Sequence, residues 1–192
     1  MLQTMYLTTS PLIAGGILNM IFTKTKIYKK FKYPIDGGKC CSDGKRIFGD
    51  NKTWIGFISM IIFCVISQII CGQACNYFEI NQLNDLYITN NNSIIFNIIF
   101  GFLIGFTYML FELPNSFIKR RLNIKPGKTE TGILGLIFFV IDQIDSLIGV
   151  MFLIYLFSEI SIVKYFGYIA LGAFTHIGIN VVLYLLKIRK NI

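Results

Sequence analysis

The sequence predicts an all-α polytopic membrane protein, a bundle of five transmembrane helices that forms a single domain. Of its 192 residues, 54% are hydrophobic and only 15% are charged, whereas about a quarter of the residues in soluble domains are charged. Apolar runs of the length that crosses a bilayer, about 20 residues, occur five times. The alternation of membrane β-strands is absent, which leaves helices as the spanning elements.

The five predicted spans cover, in order, residues 3–22, 54–73, 94–113, 132–157 and 165–186. The first resembles a secretory signal, but its basic residues follow the apolar run instead of preceding it, so we interpret it as an uncleaved span. The predicted connections include two extended segments, which we name loop one (23–53) and loop three (114–131).

The basic residues predict the orientation of the bundle. Loop one contains nine Lys and Arg residues and loop three contains five, whereas the second connection has none and the fourth has only Lys164. Three more lie near the C-terminus, at Lys187, Arg189 and Lys190. The positive-inside rule therefore predicts both loops and the C-terminus in the cytoplasm, with the N-terminus outside the cell membrane.

Charge and cysteine content exclude several classes of function. The formal net charge is +8, but its carriers lie in short juxtamembrane connections, where membrane lipids and phosphorylated ligands are nearer partners than nucleic acid. The five cysteines are odd in number and lack a CxxC spacing, so they indicate neither a zinc site nor a disulfide framework.

Loop one carries a glycine-rich polar run that ends where the second span begins. Glycines alternate with Lys, Asp and Asn from Gly37 to Trp54, a composition that suits turns whose N–H groups converge on an anion at a helix N-terminus. Thr53 or Asp50 could cap that helix. An ordinary polar loop with a good cap explains the same pattern, and the run does not match a P-loop.

Loop three contains three adjacent cations, Lys119, Arg120 and Arg121, shortly after Ser116. Arginine offers paired hydrogen bonds to phosphate oxygens, so this cluster is a candidate phosphate clamp. A cluster that serves only to orient the protein in the membrane is the alternative.

The fourth span contains two carboxylates, Asp142 and Asp145, which share a helix face because they are three residues apart. An ionised aspartate near the bilayer centre costs on the order of 3 kcal/mol, so we expect a cation beside the pair. Mg²⁺ prefers one or two carboxylates together with substrate phosphates. The alternative is a structural ion pair with Lys119 to Arg121.

The fifth span carries a polar stripe at four-residue steps, His176, Asn180 and Tyr184. We expect this stripe to face the bundle interior and to form hydrogen bonds between helices. Asn19 in the first span and Glu112 at the end of the third suggest the same role.

Three ordered motifs together resemble the CDP-archaeol synthase family. They are Asp43-Gly44-Lys45-Arg46 with Gly49-Asp50-Asn51-Lys52-Thr53-Trp54, then Ser116-x-x-Lys119-Arg120-Arg121 with Lys125-Pro126-Gly127, and finally Asp142-Gln143-x-Asp145. The resemblance runs from Asn19 to Arg189. It implies a five-span membrane enzyme that uses Mg²⁺ to transfer CMP from CTP to an isoprenoid ether-lipid phosphate and releases pyrophosphate.

The resemblance also implies site residues. Asp142 and Asp145 would be catalytic carboxylates and Mg²⁺ ligands, and Lys119 with Arg120 would clamp the phosphates at the cytoplasmic face. The implied nucleotide-binding residues are Lys45, Gly49, Asp50, Asn51, Lys52, Thr53 and Ser116.

Other functions remain open at this stage. Ser116-x-x-Lys119-Arg120 and Asp142-x-x-Asp145-Ser146 are distantly similar to CDP-diacylglycerol synthases, although Gln143 stands where those enzymes have Arg. A proton-coupled transporter could use the same aspartate pair, but five unequal spans show no inverted repeat. A membrane scaffold would not need paired carboxylates. The sequence leaves the lipid tails and the oligomeric state open, a homodimer included.

Overall fold

The computed structural model describes residues 1–128 and 131–185, which fold into α-helices and connecting loops without a β-strand. Five of these helices are long and apolar enough to cross a membrane, which confirms the predicted all-α class and the five spans. The α-helices in this part of the chain are α1 (Leu2–Phe22), α2 (Lys26–Lys30), α3 (Trp54–Tyr77), α4 (Asp85–Thr89), α5 (Ile94–Arg121), α6 (Gly132–Phe157) and α7 (Ile162–Leu185).

The main departure from the prediction is the length of α5. This helix continues about two turns beyond residue 113 and ends at Arg121, before Asn123 adopts a left-handed conformation with φ of 63°. Ser116 and the three cations therefore lie on a helix, and loop three is shortened to 122–131. Residues 186–192, which include the C-terminal cations, lie outside the described residues.

The long helices pack in the order α1, α3, α5, α6, α7. The contact between α3 and α5 depends on two glycines one helical turn apart. A Cβ added at Gly101 would lie 2.7 Å from the Val65 Cα, and one added at Gly105 would lie 2.6 Å from the Ile61 Cα. Small residues let membrane helices approach closely, so these positions bring the α3 and α5 backbones together.

The connections join at two ends of the bundle. At one end, the Lys45 ammonium donates to the Arg121 carbonyl (2.6 Å), and the Arg121 guanidinium donates to Asp43 (2.6 Å). At the other end, the Asn90 amide donates to the Phe157 carbonyl (2.5 Å). Loops one and three therefore share one end, which we name the loop-one end, and the second and fourth connections share the opposite end.

Candidate active site

The two predicted carboxylates lie on the face of α6 that is turned toward α5, about 15 Å along the helix from its start. The Asn115 amide nitrogen on α5 donates to Asp142 Oδ1 and to Asp145 Oδ2, and both distances are 2.7 Å. The Asn115 amide thus holds the two carboxylates close to each other. Lys119, also on α5, binds Asp142. Its ammonium donates to both carboxylate oxygens, and the distance to Oδ2 is 2.6 Å.

A second ion pair lies beside the first. The Lys52 ammonium, in loop one, binds the Glu112 carboxylate on α5, and both side chains are about one-fifth exposed. Lys119 and Asp142 are likewise partly exposed, at 15% and 39%. Ion pairs that water reaches are weakly held, so a phosphorylated ligand can compete for either lysine.

Arg120 connects this charged region to loop one. Gly49 has a φ of 94°, and a Cβ added there would lie 3.6 Å from the Arg120 Cδ and 2.8 Å from the Pro126 Cγ. Loops one and three are therefore in direct contact at Gly49, where no larger side chain fits. Within the described residues, the Arg120 Nη1 atom is buried and has no hydrogen-bond partner. A buried guanidinium N–H without an acceptor is costly, and a phosphate oxygen would satisfy it.

Asp36 organises loop one, a role that the sequence pattern does not indicate. Its carboxylate accepts two hydrogen bonds from the Arg46 guanidinium and three from backbone N–H groups. Those N–H groups belong to Gly38 (3.1 Å), Phe48 (2.9 Å) and Gly49 (2.8 Å). Burial alone would raise the pKa of Asp36, but these donors outweigh it and hold the pKa well below its usual range. The ionised carboxylate therefore fixes the run that leads to Lys52.

Two of the predicted nucleotide-binding side chains have structural partners. The Thr53 hydroxyl accepts the Gly56 N–H at the start of α3 and bonds the Tyr28 hydroxyl, and the residue is only 1% exposed. Thr53 is therefore the helix cap, one of the two caps predicted. The Lys45 ammonium is engaged with the Arg121 carbonyl, where it holds loop one to the end of α5.

The other predicted nucleotide-binding residues lie in loop one and on α5. Asp50 is exposed and pairs with Arg46. Asn51 lies against Gly127, with 3.3 Å between its amide nitrogen and a Cβ added at that glycine. Ser116 is buried on α5, next to Asn115. Asn51 is thus exposed, whereas Gly49 is buried against Arg120, and Lys52 reaches Glu112 on α5.

The polar stripe of α7 is only partly directed inward. The buried Asn180 amide donates to Gln143 Oε1 on α6 (3.3 Å), and His176 lines an apolar groove, whereas Tyr184 is 44% exposed. The expectation that all three residues face the interior is therefore wrong for Tyr184, because only two of the positions are turned toward α6. Asn19 does form the expected bond between helices, since it accepts from the Ser59 hydroxyl at 2.6 Å.

Comparison with known proteins identifies relatives along nearly the whole chain. The family model described as CarS-like, CDP-archaeol synthase, matches residues 17–192. The CDP-archaeol synthase of Archaeoglobus fulgidus is 32% identical, with 82% of each chain covered. That of Pyrococcus furiosus is 28% identical, with 97% of this chain and 90% of the relative covered.

A solved structure has a similar fold. It is described as an intramembrane enzyme for archaeal membrane lipids biosynthesis, and it aligns with a TM-score of 0.63 over 92% of both chains. The sequence identity is 18%, so this likeness concerns the fold alone.

Proposed function

This chain belongs to the CDP-archaeol synthase family, and we propose that the charged site between loop one, α5 and α6 carries out the reaction of that family. The reaction transfers CMP from CTP to an archaeol-type lipid phosphate within the membrane. An oxygen of the lipid phosphate bonds to the α-phosphorus of CTP, while the bond from that phosphorus to the bridging oxygen breaks. The products are a CDP-lipid and pyrophosphate.

The observation that carries this proposal is the shared contact of Asn115 with Asp142 and Asp145. Two carboxylates held together part of the way into an apolar bundle are expensive unless a positive charge joins them. Lys119 supplies one positive charge to Asp142, but no cation in residues 1–128 and 131–185 forms an ion pair with Asp145. The site therefore favours one more cation. A metal ion bound to the phosphates of CTP would supply it.

The donor set suits Mg²⁺. Asp142 and Asp145 supply hard oxygen ligands on converging side chains, and the buried Asn115 Oδ1 lacks a hydrogen-bond partner among the described residues. These residues would hold the ion, which would neutralise charge that develops on the triphosphate.

The chain's own side chains would position the substrates. Lys52 is paired with Glu112, Lys119 is paired with Asp142, and Arg120 has a buried Nη1 without an acceptor among the described residues. These three cations would hold phosphate oxygens, since phosphoryl transfer of this kind needs positioning and charge neutralisation more than a protein nucleophile. The exposed Asn51 would contact the nucleotide, and Gly49 would let Arg120 lie close to loop one. The basic residues of loops one and three support a cytoplasmic opening, the side on which CTP would enter.

Product identity tests this function. Purified protein is incubated with CTP, Mg²⁺ and an unsaturated ether-lipid phosphate or a diacyl-lipid phosphate, and the products are identified by mass. We expect a CDP-ether lipid and pyrophosphate in equal amounts, with none when Mg²⁺ is chelated. Faster use of the diacyl substrate would favour CDP-diacylglycerol synthesis, and the absence of any CDP-lipid would refute the proposal.

A further inference from the structure

An apolar groove runs along the bundle between α1 on one side and α6 and α7 on the other. Each long helix packs against the next, from α1 through α3, α5 and α6 to α7. The groove lies where the first helix, α1, approaches α6 and α7. The walls of the groove are mainly aliphatic and include Leu12, Ile13, Ile17, Leu147, Met151 and Ile179.

The groove begins beside the carboxylate pair. Ser146 lines it, and both the hydroxyl and the N–H of Ser146 donate to Asp145 Oδ1, at 2.9 and 2.6 Å. Gln143, the residue after Asp142, lines the groove as well. A phosphate group held at the carboxylates would therefore have an attached chain next to the entrance of the groove.

The groove closes toward the opposite end of the bundle. There the Asp85 N–H donates to the Thr8 hydroxyl on α1 (2.9 Å), and the Tyr168 hydroxyl on α7 donates to the Asp85 carboxylate. These contacts hold α1 and α7 together through α4. The part of α1 that lines the groove, from Thr9 to Met20, is about 16 Å long, roughly half of a bilayer's hydrocarbon core.

Gly16 lies near the middle of this wall and faces open space. No heavy atom lies within 4 Å of a Cβ added at Gly16. On the other wall, by contrast, a Cβ added at Gly172 would lie 2.9 Å from Leu147. The width of the groove at this level therefore depends on the absence of a side chain at residue 16.

We propose that the groove holds one hydrocarbon chain of the lipid phosphate and that Gly16 determines which chains fit. This inference rests on the function proposed above. A hydrocarbon chain that moves from the bilayer into the groove exchanges one apolar environment for another, so the groove supplies little affinity by itself. Its contribution is steric: it directs the chain and thereby turns the phosphate toward the α-phosphorus of CTP.

The test narrows the groove and compares two chain lengths. Gly16→Leu places a side chain in the open space, and Gly178→Leu is the matched control, because it also meets no atom within 4 Å but lies on α7 outside the groove lining. Each variant is assayed with long-chain and short-chain ether-lipid phosphates that share the same head group. The short chains are chosen to end before the level of Gly16.

We expect Gly16→Leu to lower kcat/KM for the long-chain substrate about tenfold or more, the size of effect that a few methylene groups have in an apolar pocket. The short-chain rate and both rates of Gly178→Leu should stay unchanged. Equal losses with both chain lengths, or no loss with either, would overturn the assignment of the groove.

A binding measurement separates this inference from the proposed function. A long-chain lipid phosphate with a photoreactive group at its chain end should label groove peptides of α1 or α7 in the wild type and lose that labelling in Gly16→Leu. A neutral lipid with the same chain should label them less. Equal labelling by the neutral lipid would mean a groove for ordinary membrane lipid and would overturn the proposal. Selective labelling without CDP-lipid formation would support the groove and contradict only the reaction.

Discussion

The two ends of the bundle use the same kind of ion pair in different surroundings. At the loop-one end Lys119 pairs with Asp142, whose side chain is 39% exposed. At the opposite end Lys164 pairs with Asp85 at 2.7 Å, and the Asp85 side chain is only 4% exposed. A buried carboxylate whose two oxygens both have protein donors is poorly available to a ligand, whereas a more exposed one can exchange its partner. The same chemistry is therefore structural at one end and available for binding at the other.

The neighbouring groups strengthen this contrast. Asp85 lies in the first turn of α4 behind the Asn84 cap, and it also binds Tyr168 and, through its N–H, Thr8. Every one of these contacts ties a connection to a helix. Asp142 instead shares Asn115 with a second carboxylate, Asp145, and so concentrates negative charge. Substitutions at the two ends should consequently affect different measurements.

The largest expected effect is the loss of activity on removing a carboxylate from the site. Asp145→Asn and Asp142→Asn keep the side-chain size but remove the charge proposed to bind Mg²⁺. Since such an ion supplies several kcal/mol of transition-state stabilisation, we expect CDP-lipid formation to fall at least about 100-fold in each variant. Activity is measured beside the melting temperature in detergent.

Stability distinguishes the two aspartates. Asp142→Asn removes the partner of Lys119 and should lower the melting temperature somewhat, whereas Asp145→Asn should leave it unchanged, because no ion pair joins Asp145 in residues 1–128 and 131–185. An Asp145→Asn protein that retains full magnesium-dependent turnover would contradict the metal role and return the pair to a structural one.

The next largest effect concerns stability at the opposite end. Asp85→Asn leaves the mostly buried Lys164 without its carboxylate, a loss of about 3 kcal/mol, so early thermal unfolding is expected. The fraction that remains folded should keep its specific activity. Glu159→Gln is the matched control, since it removes an exposed carboxylate from the neighbouring connection. Equal melting temperatures for the two variants would show that the Asp85 pair does not hold this end together.

The sequence could predict the helices and the charged groups that the site contains, but not all of the contacts. Long apolar runs define the spans, and the three-residue spacing places Asp142 and Asp145 on one face regardless of tertiary structure. The role of Asn115 was missed because a neutral amide beside a basic cluster gives no signal by itself. Its contact exists only because α5 continues past residue 113 and brings Asn115 against α6.

Two errors have a common cause. The charges near Arg121 suggested a loop, yet they lie on the last turns of a helix, because a helix can leave the apolar layer without ending. Asp36 was overlooked for a related reason: its partners Arg46 and Gly49 are 10 and 13 residues away and meet it only once the loop has folded. Local sequence pattern predicts secondary structure, whereas these contacts join residues that are distant in the sequence and depend on the tertiary fold.

A smaller expected effect distinguishes a cation that binds CTP from a cation that only orients the protein in the membrane. Lys52→Ala removes an ammonium that reaches into the site, whereas Lys29→Ala removes an exposed one from the same connection. A hydrogen bond to a charged group contributes about 1.5–3 kcal/mol, so kcat/KM for CTP should fall roughly tenfold to a hundredfold in Lys52→Ala alone. Steady-state kinetics with varied CTP measure this difference. Equal effects of the two substitutions would remove Lys52 from the nucleotide site.

The mildest test leaves activity intact and asks which end of the bundle faces the cytoplasm. Cys40, an exposed residue of loop one, is a native reporter for the loop-one end, and the buried Cys64, Cys71 and Cys75 lie within α3. Asn91→Cys adds an exposed reporter at the opposite end. Because nearly all basic residues of the connections lie in loops one and three, a membrane-impermeant maleimide should label Asn91→Cys from outside intact cells. The wild type should be labelled only after permeabilisation. Labelling of the wild type in intact cells, without extra labelling of the variant, would invert the topology and place the CTP site outside.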